Sequence, residues 1–285
     1  NKQANLPGFI PMIDEDLRYK PAVSVEGACG SGGLALTTGI KAILAETADV
    51  VLAMGVEVQN TVKAIYGADI LACASWHKRR KEGHAYMFPG LFSDRASAYY
   101  EKFGKEYTRK GLATWYKNAI ENARLCPTAQ EFHNKMPDPF KMGMTEPNGK
   151  FFVDHLNLYD CSKVSDAASA IGIFSEEGLA KWGIDKKDAV EIIGFGQAAE
   201  DIRNDPVDLT ELSTTKAAVT KALDNAGITK NDLGTIELHD CFSMAAVLAV
   251  EAIGFAEPGK GAEFIAAGNT ARDGKIPTNH TGGLV

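Results

Sequence analysis

A cysteine followed by glycines, at the junction of an extended run and an apolar helical run, constrains this chain more than any other feature. Residues 21–34 read PAVSVEGACGSGGL, and an apolar run continues to residue 45. At a helix start, Cys29 would lie near backbone N–H groups that have no intrahelical partner and near the positive end of the helix dipole. Both favour the thiolate, the nucleophilic form. The alternative is a small, buried, inert cysteine.

A second group of polar residues, His239-Asp240-Cys241-Phe242, lies between an apolar strand-like run and an apolar helix-like run. Polar groups between two apolar segments must be hydrogen-bonded within the protein or take part in binding or catalysis. His239 can hold a proton near neutral pH or donate a hydrogen bond to a developing oxyanion, and Cys241 can move a proton. In the alternative, Asp240 or Ser243 caps the following helix and His239 only packs.

Composition excludes several classes of function. The chain has 285 residues, 45% hydrophobic and 24% charged, which is typical of a globular protein. A net charge of −7 argues against binding to nucleic acid, and no apolar run is long enough to cross a membrane. The five widely spaced cysteines form no C-x-x-C pair, which predicts no zinc or other metal site and no disulfide scaffold. A reducing, cytoplasmic location follows.

Apolar runs and helical periodicity alternate along the chain, which predicts an α/β protein. Strands are predicted at 22–25, 49–57, 167–174, 190–198 and 235–238. Helices are predicted at 29–46, 96–104, 111–123, 176–182, 211–226 and 243–253. Residues 61–157 differ in character, being rich in aromatic residues, Pro and Gly, and we interpret them as an excursion that covers a substrate.

Five motifs, in order, together resemble the thiolase superfamily. They are EGACGSGG at 26–33, FPGLF at 88–92, DCSKVSDAA at 160–168, HDCF at 239–242 and PTNHTGGL at 277–284. The most similar branch is the sterol-carrier-protein-x-type thiolases, with the bacterial and archaeal acetyl-CoA acetyltransferases. Any one of these motifs alone would be weak, whereas five in order span nearly the whole chain.

The resemblance implies an α/β thiolase fold, with two similar βαβαβ-type halves in five layers (αβαβα) and an inserted loop domain. The N-terminal half would comprise residues 1–60 and 158–182. The loop domain, covering the active site, would comprise 61–157. The C-terminal half would comprise 183–285.

The same resemblance implies roles for three residues. Cys29 would be the nucleophile that carries the acyl group as a thioester. His239 would contribute to an oxyanion hole, and Cys241 would be the acid/base that moves a proton at carbon. Coenzyme A would be both substrate and acyl carrier.

Substrate and coenzyme A contacts are expected at six further residues. They are Ser162, Phe88, Lys78, Arg79, Gly282 and Gly283. Ser162 matches a position near the pantetheine arm. The basic run at 78–81 is either a solvated face or a contact for coenzyme A phosphates.

The implied reaction is thiolytic cleavage of a 3-oxoacyl-CoA or the reverse Claisen condensation, since the same residues serve both directions. Two alternatives are a thiolase-like aldolase that cleaves a β-hydroxyacyl-CoA and a non-catalytic acyl-CoA-binding subunit of a hetero-complex. Having both Cys29 and His239 argues against the aldolase, whose members lack the nucleophile. The implied partners are acyl-CoA and CoA, a second copy of the chain in a homodimer or larger homo-oligomer, and a small zinc-ribbon/OB-fold protein.

The resemblance also implies sequence beyond both ends of this chain. Family members begin before Asn1 and continue past Val285 to a Gly-His-Pro histidine that activates the nucleophile. His280 is not expected to replace that histidine, and we predict it to be exposed in a loop.

Overall fold

The computed structural model describes residues 5–78 and 83–284. Its α-helices are α1 (Ser31–Leu44), α2 (Ala64–Leu71), α3 (Met87–Phe103), α4 (Lys105–Ala123), α5 (Pro139–Gly143), α6 (Glu176–Trp182), α7 (Ser213–Ala226), α8 (Ser243–Ile253) and α9 (Gly261–Ala266). Its strands are β1 (Val50–Val58) and β2 (Asp166–Phe174), which pair in one sheet. The chain divides into two compact units.

The first unit comprises residues 1–57 and 166–190 and contains α1, β2, α6 and nearly all of β1. Helix α1 lies against the sheet at Gly39. A Cβ atom there would be 2.6 Å from Ile173 Cδ1 and 3.2 Å from Val51 Cγ1. Only glycine therefore lets the helix come this close to the strands.

The second unit comprises residues 58–165 and 191–285, and its core is helical. Helix α8 is buried over almost its whole length, and α4 packs against α5, α8 and α9. At Gly111 the backbone of α4 touches α9, since a Cβ atom there would be 2.5 Å from Ala262 O. This packing makes α4 a rigid support for the segments around it.

The predicted strands at 49–57 and 167–174 are confirmed as β1 and β2, and the helices at 176–182 and 243–253 are confirmed as α6 and α8. The helix predicted at 29–46 is observed as α1, preceded by a 3-10 turn. Helices α3 and α4 are longer than predicted. Strong local periodicity explains why these elements were predictable.

The other three predicted strands were wrong. Residues 22–25 are mostly exposed and form no ladder. Residues 235–238 form a single parallel bridge, between Ile236 and Thr278. Residues 190–198 run along α7 instead, because Gly196 lets the backbone approach that helix and Phe195 N donates to Asn225 Oδ1 at 3.1 Å. Bonds to a helix replace the strand partner that the prediction required. The separate loop domain expected at 61–157 stays a prediction.

Candidate active site

Cys29 is exposed in a tight turn that leads into α1. The turn is fixed by its own side chains: Ala28 N donates to Glu26 Oε1 at 2.6 Å, and Gly27 N donates to Ser31 Oγ at 3.0 Å. Ala28 has φ +51°, a left-handed conformation that is uncommon for a residue with a side chain. A strained residue directly before the cysteine is typical of functional turns.

The glycines after Cys29 leave the start of α1 open. A Cβ atom at Gly30, Gly32 or Gly33 would meet no atom within 4 Å. Gly27, before the cysteine, differs, since a Cβ atom there would be 2.3 Å from Leu34 Cδ1. The open space around these glycines therefore lies at the N-terminus of α1, where the first backbone N–H groups have no intrahelical partner.

In the second unit, side-chain exposure alternates along residues 239–242. Asp240 and Phe242 are buried, whereas His239 is exposed and Cys241 is half-buried. Alternation of this kind is typical of extended backbone, in which successive side chains point to opposite faces. His239 and Cys241 therefore share the outward face, and Asp240 points into the core.

Two N–H groups, one from a side chain and one from the backbone, donate to the Asp240 carboxylate. Trp115 Nε1 donates to Asp240 Oδ2 at 3.0 Å, and Leu284 N donates to Oδ1 at 2.9 Å. Burial raises the pKa of Asp240, and the bonds from these donors oppose the shift. The carboxylate is thus an internal anchor for the segment.

Desolvation by surrounding atoms lowers the pKa of His239 below 6.5, against a smaller opposite effect of Asp240. A histidine with a lowered pKa is neutral at pH 7. A neutral imidazole carries one N–H donor, which is the form required to bind an oxyanion without giving up its proton. The side chain expected in the oxyanion hole thus has suitable electrostatics.

Ser162 lies opposite Cys241. An antiparallel bridge joins Cys161 to Phe242, and Ser162 N donates to Cys241 O at 3.0 Å. Residues directly opposite one another in an antiparallel pair have side chains on the same face. The structure therefore brings together the expected pantetheine-contacting residue and the expected acid/base.

A buried ion pair supports this pair of segments. Both terminal nitrogens of Arg109 bond to the Asp160 carboxylate, one at 2.6 Å, and Ser243 Oγ donates to Asp160 Oδ1 at 2.7 Å. Asp160 Oδ2 also accepts from Asn157 N at 2.8 Å. Burial lowers the pKa of Arg109, but Asp160 outweighs that effect and raises it, so the guanidinium stays charged. Helix α4 thus ties the turn before Cys161 to the start of α8.

Gly282 and Gly283 follow Asn279 near the end of the chain, and Gly283 lies against Asp240. Their φ angles are +99° and +65°, in the region that favours glycine. A Cβ atom at Gly283 would lie 2.4 Å from Asp240 Oδ2 and 2.6 Å from Asn279 Nδ2. Asn279 in turn exchanges two hydrogen bonds with the backbone of Leu238, at 2.8 and 3.0 Å. These glycines therefore shape the second unit around residues 238–240.

Replacing Gly283 by alanine should destabilise the second unit by about 2–5 kcal/mol. Left-handed backbone costs a residue with a Cβ atom about 1–2 kcal/mol, and crowding Asp240 adds about 1–3 kcal/mol. Gly268→Ala is the matched control, because Gly268 has φ +82° but open space around it. Urea unfolding followed by circular dichroism measures both variants. Equal losses would show that contact with Asp240 contributes nothing.

The other residues predicted to contact substrate or coenzyme A are Phe88, Lys78 and Arg79. Phe88, in the first turn of α3, packs against the core beside Phe92, which stacks on Phe242 with ring centroids 4.4 Å apart. Lys78 Nζ lies 5.4 Å from the centroid of the Trp76 ring. Arg79 lies outside the described residues.

His280 corrects an expectation. It was predicted to be exposed, but it is half-buried, and its Nε2 is shielded from solvent without a hydrogen-bond partner. Its backbone N donates to Glu237 Oε1 at 2.8 Å, which holds the turn against the strand-like run before His239. A polar residue in the turn before Gly282 is typical of an exposed loop, so nothing in the sequence indicated that His280 is half-buried.

Two residues of the site escaped sequence reasoning. Trp115 and Arg109 lie on α4, far along the chain from the segments they hold. Their only sequence signal is a position on the buried face of an amphipathic helix.

Cys29 belongs to the first unit, and Ser162, His239 and Cys241 belong to the second.

Two family descriptions match the chain. "Thiolase C-terminal domain-like" covers residues 197–285, and "Beta-ketoacyl synthase, N-terminal domain" covers residues 19–85. An acetyl-CoA acetyltransferase of Methanothermobacter thermautotrophicus is 35% identical over 269 residues, with 93% of this chain and 66% of the relative covered. Sterol carrier protein 2 of Homo sapiens is 27% identical, with 93% of this chain and 49% of the relative covered.

Solved structures are similar in fold. An Ltp2-ChsH2(DUF35) aldolase has a TM-score of 0.69 at 21% identity, with 90% of this chain and 64% of that one covered. A monomeric SCP2-thiolase like protein type 1 from Mycobacterium smegmatis has a TM-score of 0.64 at 20% identity, with 91% and 51% covered. At such identities the likeness shows the fold, which is the α/β thiolase fold.

The chain belongs to the thiolase superfamily, in its sterol-carrier-protein (SCP2) type branch. It spans just under two thirds of the length of the archaeal acetyltransferase and about half that of the human sterol carrier protein. None of the helices in residues 5–78 and 83–284 has the length and apolar character needed to cross a membrane. Those same residues contain no group of His, Cys, Asp and Glu placed to hold a metal ion.

Proposed function

We propose that this chain is part of a thiolase that cleaves a 3-oxoacyl-CoA with coenzyme A, or runs the reverse Claisen condensation. The observation that carries the proposal is the exposed Cys29 beside the open glycine face at the start of α1. A catalytic cysteine must be reachable by a thioester, and a structural one is usually buried. The acetyltransferase name of the 35% identical relative supports the same reaction class.

In the proposed cleavage, the Cys29 thiolate attacks the 3-oxo carbon, and the bond between C2 and C3 breaks. The electron pair remains on C2 as an enolate, which the neutral His239 N–H stabilises at the thioester oxygen. Cys241 gives its proton to C2, which releases acetyl-CoA, while the shortened acyl group stays on Cys29 as a thioester. A second coenzyme A gives its thiol proton to the Cys241 thiolate, and its sulfur attacks the acyl-Cys29 thioester, which releases the shortened acyl-CoA and restores the Cys29 thiolate.

Coenzyme A is proposed to approach along the face shared by Ser162 and Cys241. Because those two residues lie opposite one another, a pantetheine arm beside Ser162 would bring its thioester towards Cys241. Gly282 and Gly283 are proposed to lie along the path of the pantetheine arm, and Phe88 is proposed to bound the acyl side of the site. Lys78 and Arg79 are proposed contacts for the phosphates.

Acylation of Cys29 tests this function. The protein is mixed with acetyl-CoA and with a medium-chain 3-oxoacyl-CoA, quenched in acid, digested and mapped by mass spectrometry. We expect the acyl group on Cys29, with Cys126 as the internal comparison because the hydrogen bond from Thr128 lowers the pKa of that thiol. Acyl groups distributed over both cysteines, or none on Cys29, would refute the proposal. Aldol cleavage without any acyl-cysteine would favour the aldolase alternative.

Cys241→Ala should separate the two chemical steps. We expect the carbon–carbon step to slow by about 10²–10⁴-fold, the usual contribution of a positioned acid/base. Loading of Cys29 from acetyl-CoA needs no proton at carbon, so it should be retained. Rapid quench measures loading, and exchange of the acetyl-CoA methyl protons with deuterium measures the carbon step. Equal loss of both would contradict an acid/base role.

Assembly is also proposed from the relatives. A homodimer or larger homo-oligomer is typical of the family, and the similar aldolase structure is described as a complex with a DUF35 protein. A small zinc-ribbon/OB-fold partner is therefore proposed for this chain, as is a cytoplasmic location consistent with five free thiols. Light scattering of the full protein, alone and co-expressed with such a partner, tests both assemblies. A monomer in both samples would contradict them.

A further inference from the structure

A tryptophan side chain contributes one of the hydrogen bonds that hold the segment from His239 to Cys241 from inside. Trp115, only 4% exposed, donates its indole N–H to Asp240 at 3.0 Å. Asp240 itself is 3% exposed and points away from the two outward side chains. A rigid ring in the helical core is thus bonded to the one residue that separates His239 from Cys241.

Helix α4 reaches the same site a second time. Arg109, on the same helix, binds Asp160, and two residues later Ser162 donates its N–H to Cys241 O. Helix α4 therefore supports both segments that carry the outward side chains: residues 239–241 through Trp115, and residues 160–162 through Arg109. Trp115 bonds directly to Asp240, so it links α4 to residues 239–241.

We infer that Trp115 is a positioning residue, whose hydrogen bond to Asp240 fixes the direction in which His239 and Cys241 face a bound acyl-CoA. The inference rests on the proposed function, because it concerns the two side chains assigned to the carbon–carbon step. Trp115 touches no reacting atom. Its effect passes entirely through Asp240.

The physical reason is the cost of removing one donor from a buried carboxylate. Without the indole N–H, Asp240 keeps its bonds with Leu284 N and the Asn279 side chain but loses the one that Oδ2 accepts from Trp115, which is unfavourable for a charged group in the core. Turning the carboxylate towards water relieves this cost. In extended backbone such a turn rotates both flanking side chains, because neighbouring residues point to opposite faces.

Trp115→Phe tests the inference, because it keeps a buried ring and removes only the N–H. The readout is the rate at which iodoacetamide alkylates Cys241 in the full chain without substrate, mapped by mass spectrometry. We expect this rate to rise about tenfold, as one lost buried hydrogen bond to a charged group shifts a local equilibrium by about that factor. An unchanged rate would overturn the inference.

Tyr99→Phe is the matched control. It also removes a bond from a buried aromatic side chain to a carboxylate, that of Tyr99 to the half-buried Glu251, but near the opposite end of α8. Its Cys241 rate should equal that of the unmodified protein. Cys161 serves as the internal report of unfolding, since burial raises the pKa of its thiol and slows its reaction. Equal acceleration of Cys161 and Cys241, or of Cys241 in Tyr99→Phe, would contradict a local role.

Asp240→Asn gives an independent route if Trp115→Phe folds poorly. Trp115 and Asp240 act through one bond, so the double variant should show the same Cys241 rate as either single variant, and additive effects would overturn the inference. The alkylation assay needs no substrate. The alkylation result therefore tests the role of Trp115 even if Cys29 proves not to be acylated. Failure to acylate Cys29 would refute the proposed function but not the positioning role.

Discussion

Replacing Cys29 by serine is expected to abolish the covalent acyl-enzyme and to lower turnover of acyl-CoA by about 10⁴-fold or more. Serine has nearly the same size, but its hydroxyl is not ionised near neutral pH. Cys29 is exposed, so the substitution should leave stability within about 0.5 kcal/mol. The loss would therefore be chemical rather than structural.

The measurement is a single turnover followed by intact-protein mass spectrometry, in which a covalent acyl group adds its mass before coenzyme A removes it. Cys73→Ser is the matched control, because Cys73 is also an exposed, free cysteine but lies outside the glycine turn. It should be acylated and turned over like the unmodified protein. A Cys29→Ser variant that still accumulates an adduct would assign the nucleophile to another residue.

The sequence was most informative where structure is decided locally. Helices α6 and α8 and strands β1 and β2 were predicted within about one residue, because their apolar runs, caps and glycine stops lie inside the elements. Ser175 caps α6 through Gly178 N, and Gly183 ends it in a left-handed conformation. Each of these signals can be found from a few neighbouring residues.

Strand predictions failed where a distant partner decides the outcome. The run at 190–198 is apolar enough for a strand, yet it lies on α7 through two glycines and a hydrogen bond from Phe195 to Asn225. Nothing within the run distinguishes a helix from a strand as its neighbour. Local β-propensity is therefore a weak guide when the chain can satisfy its backbone elsewhere.

The candidate site shows the same division. Cys29, His239, Cys241 and Ser162 were named from motifs, since their residue types and order carry the chemistry. Trp115 could not be named, because a tryptophan on the buried face of a helix is usually only core. Its partner lies 125 residues further along the chain, so only the three-dimensional structure identifies the bond.

Replacing Arg109 by methionine is expected to cost about 3–5 kcal/mol of folding free energy. The guanidinium and the Asp160 carboxylate are 3% and 0% exposed, so the variant leaves a buried, uncompensated charge. A loss of that size is a large part of the total stability of an ordinary domain, which is about 5–15 kcal/mol. Methionine keeps most of the packing volume, so the loss reports the charge and its hydrogen bonds.

Asp160→Ala should cost at least as much as Arg109→Met. The carboxylate also accepts from Asn157 N and from Ser243 Oγ, and both donors would be left without their acceptor. Lys105→Met, on the same helix, is the control, because its pair with Glu146 is exposed and contributes little. Urea unfolding by circular dichroism ranks the three variants. If Arg109→Met lost no more stability than Lys105→Met, the buried pair would not be what joins α4 to the segment before Ser162.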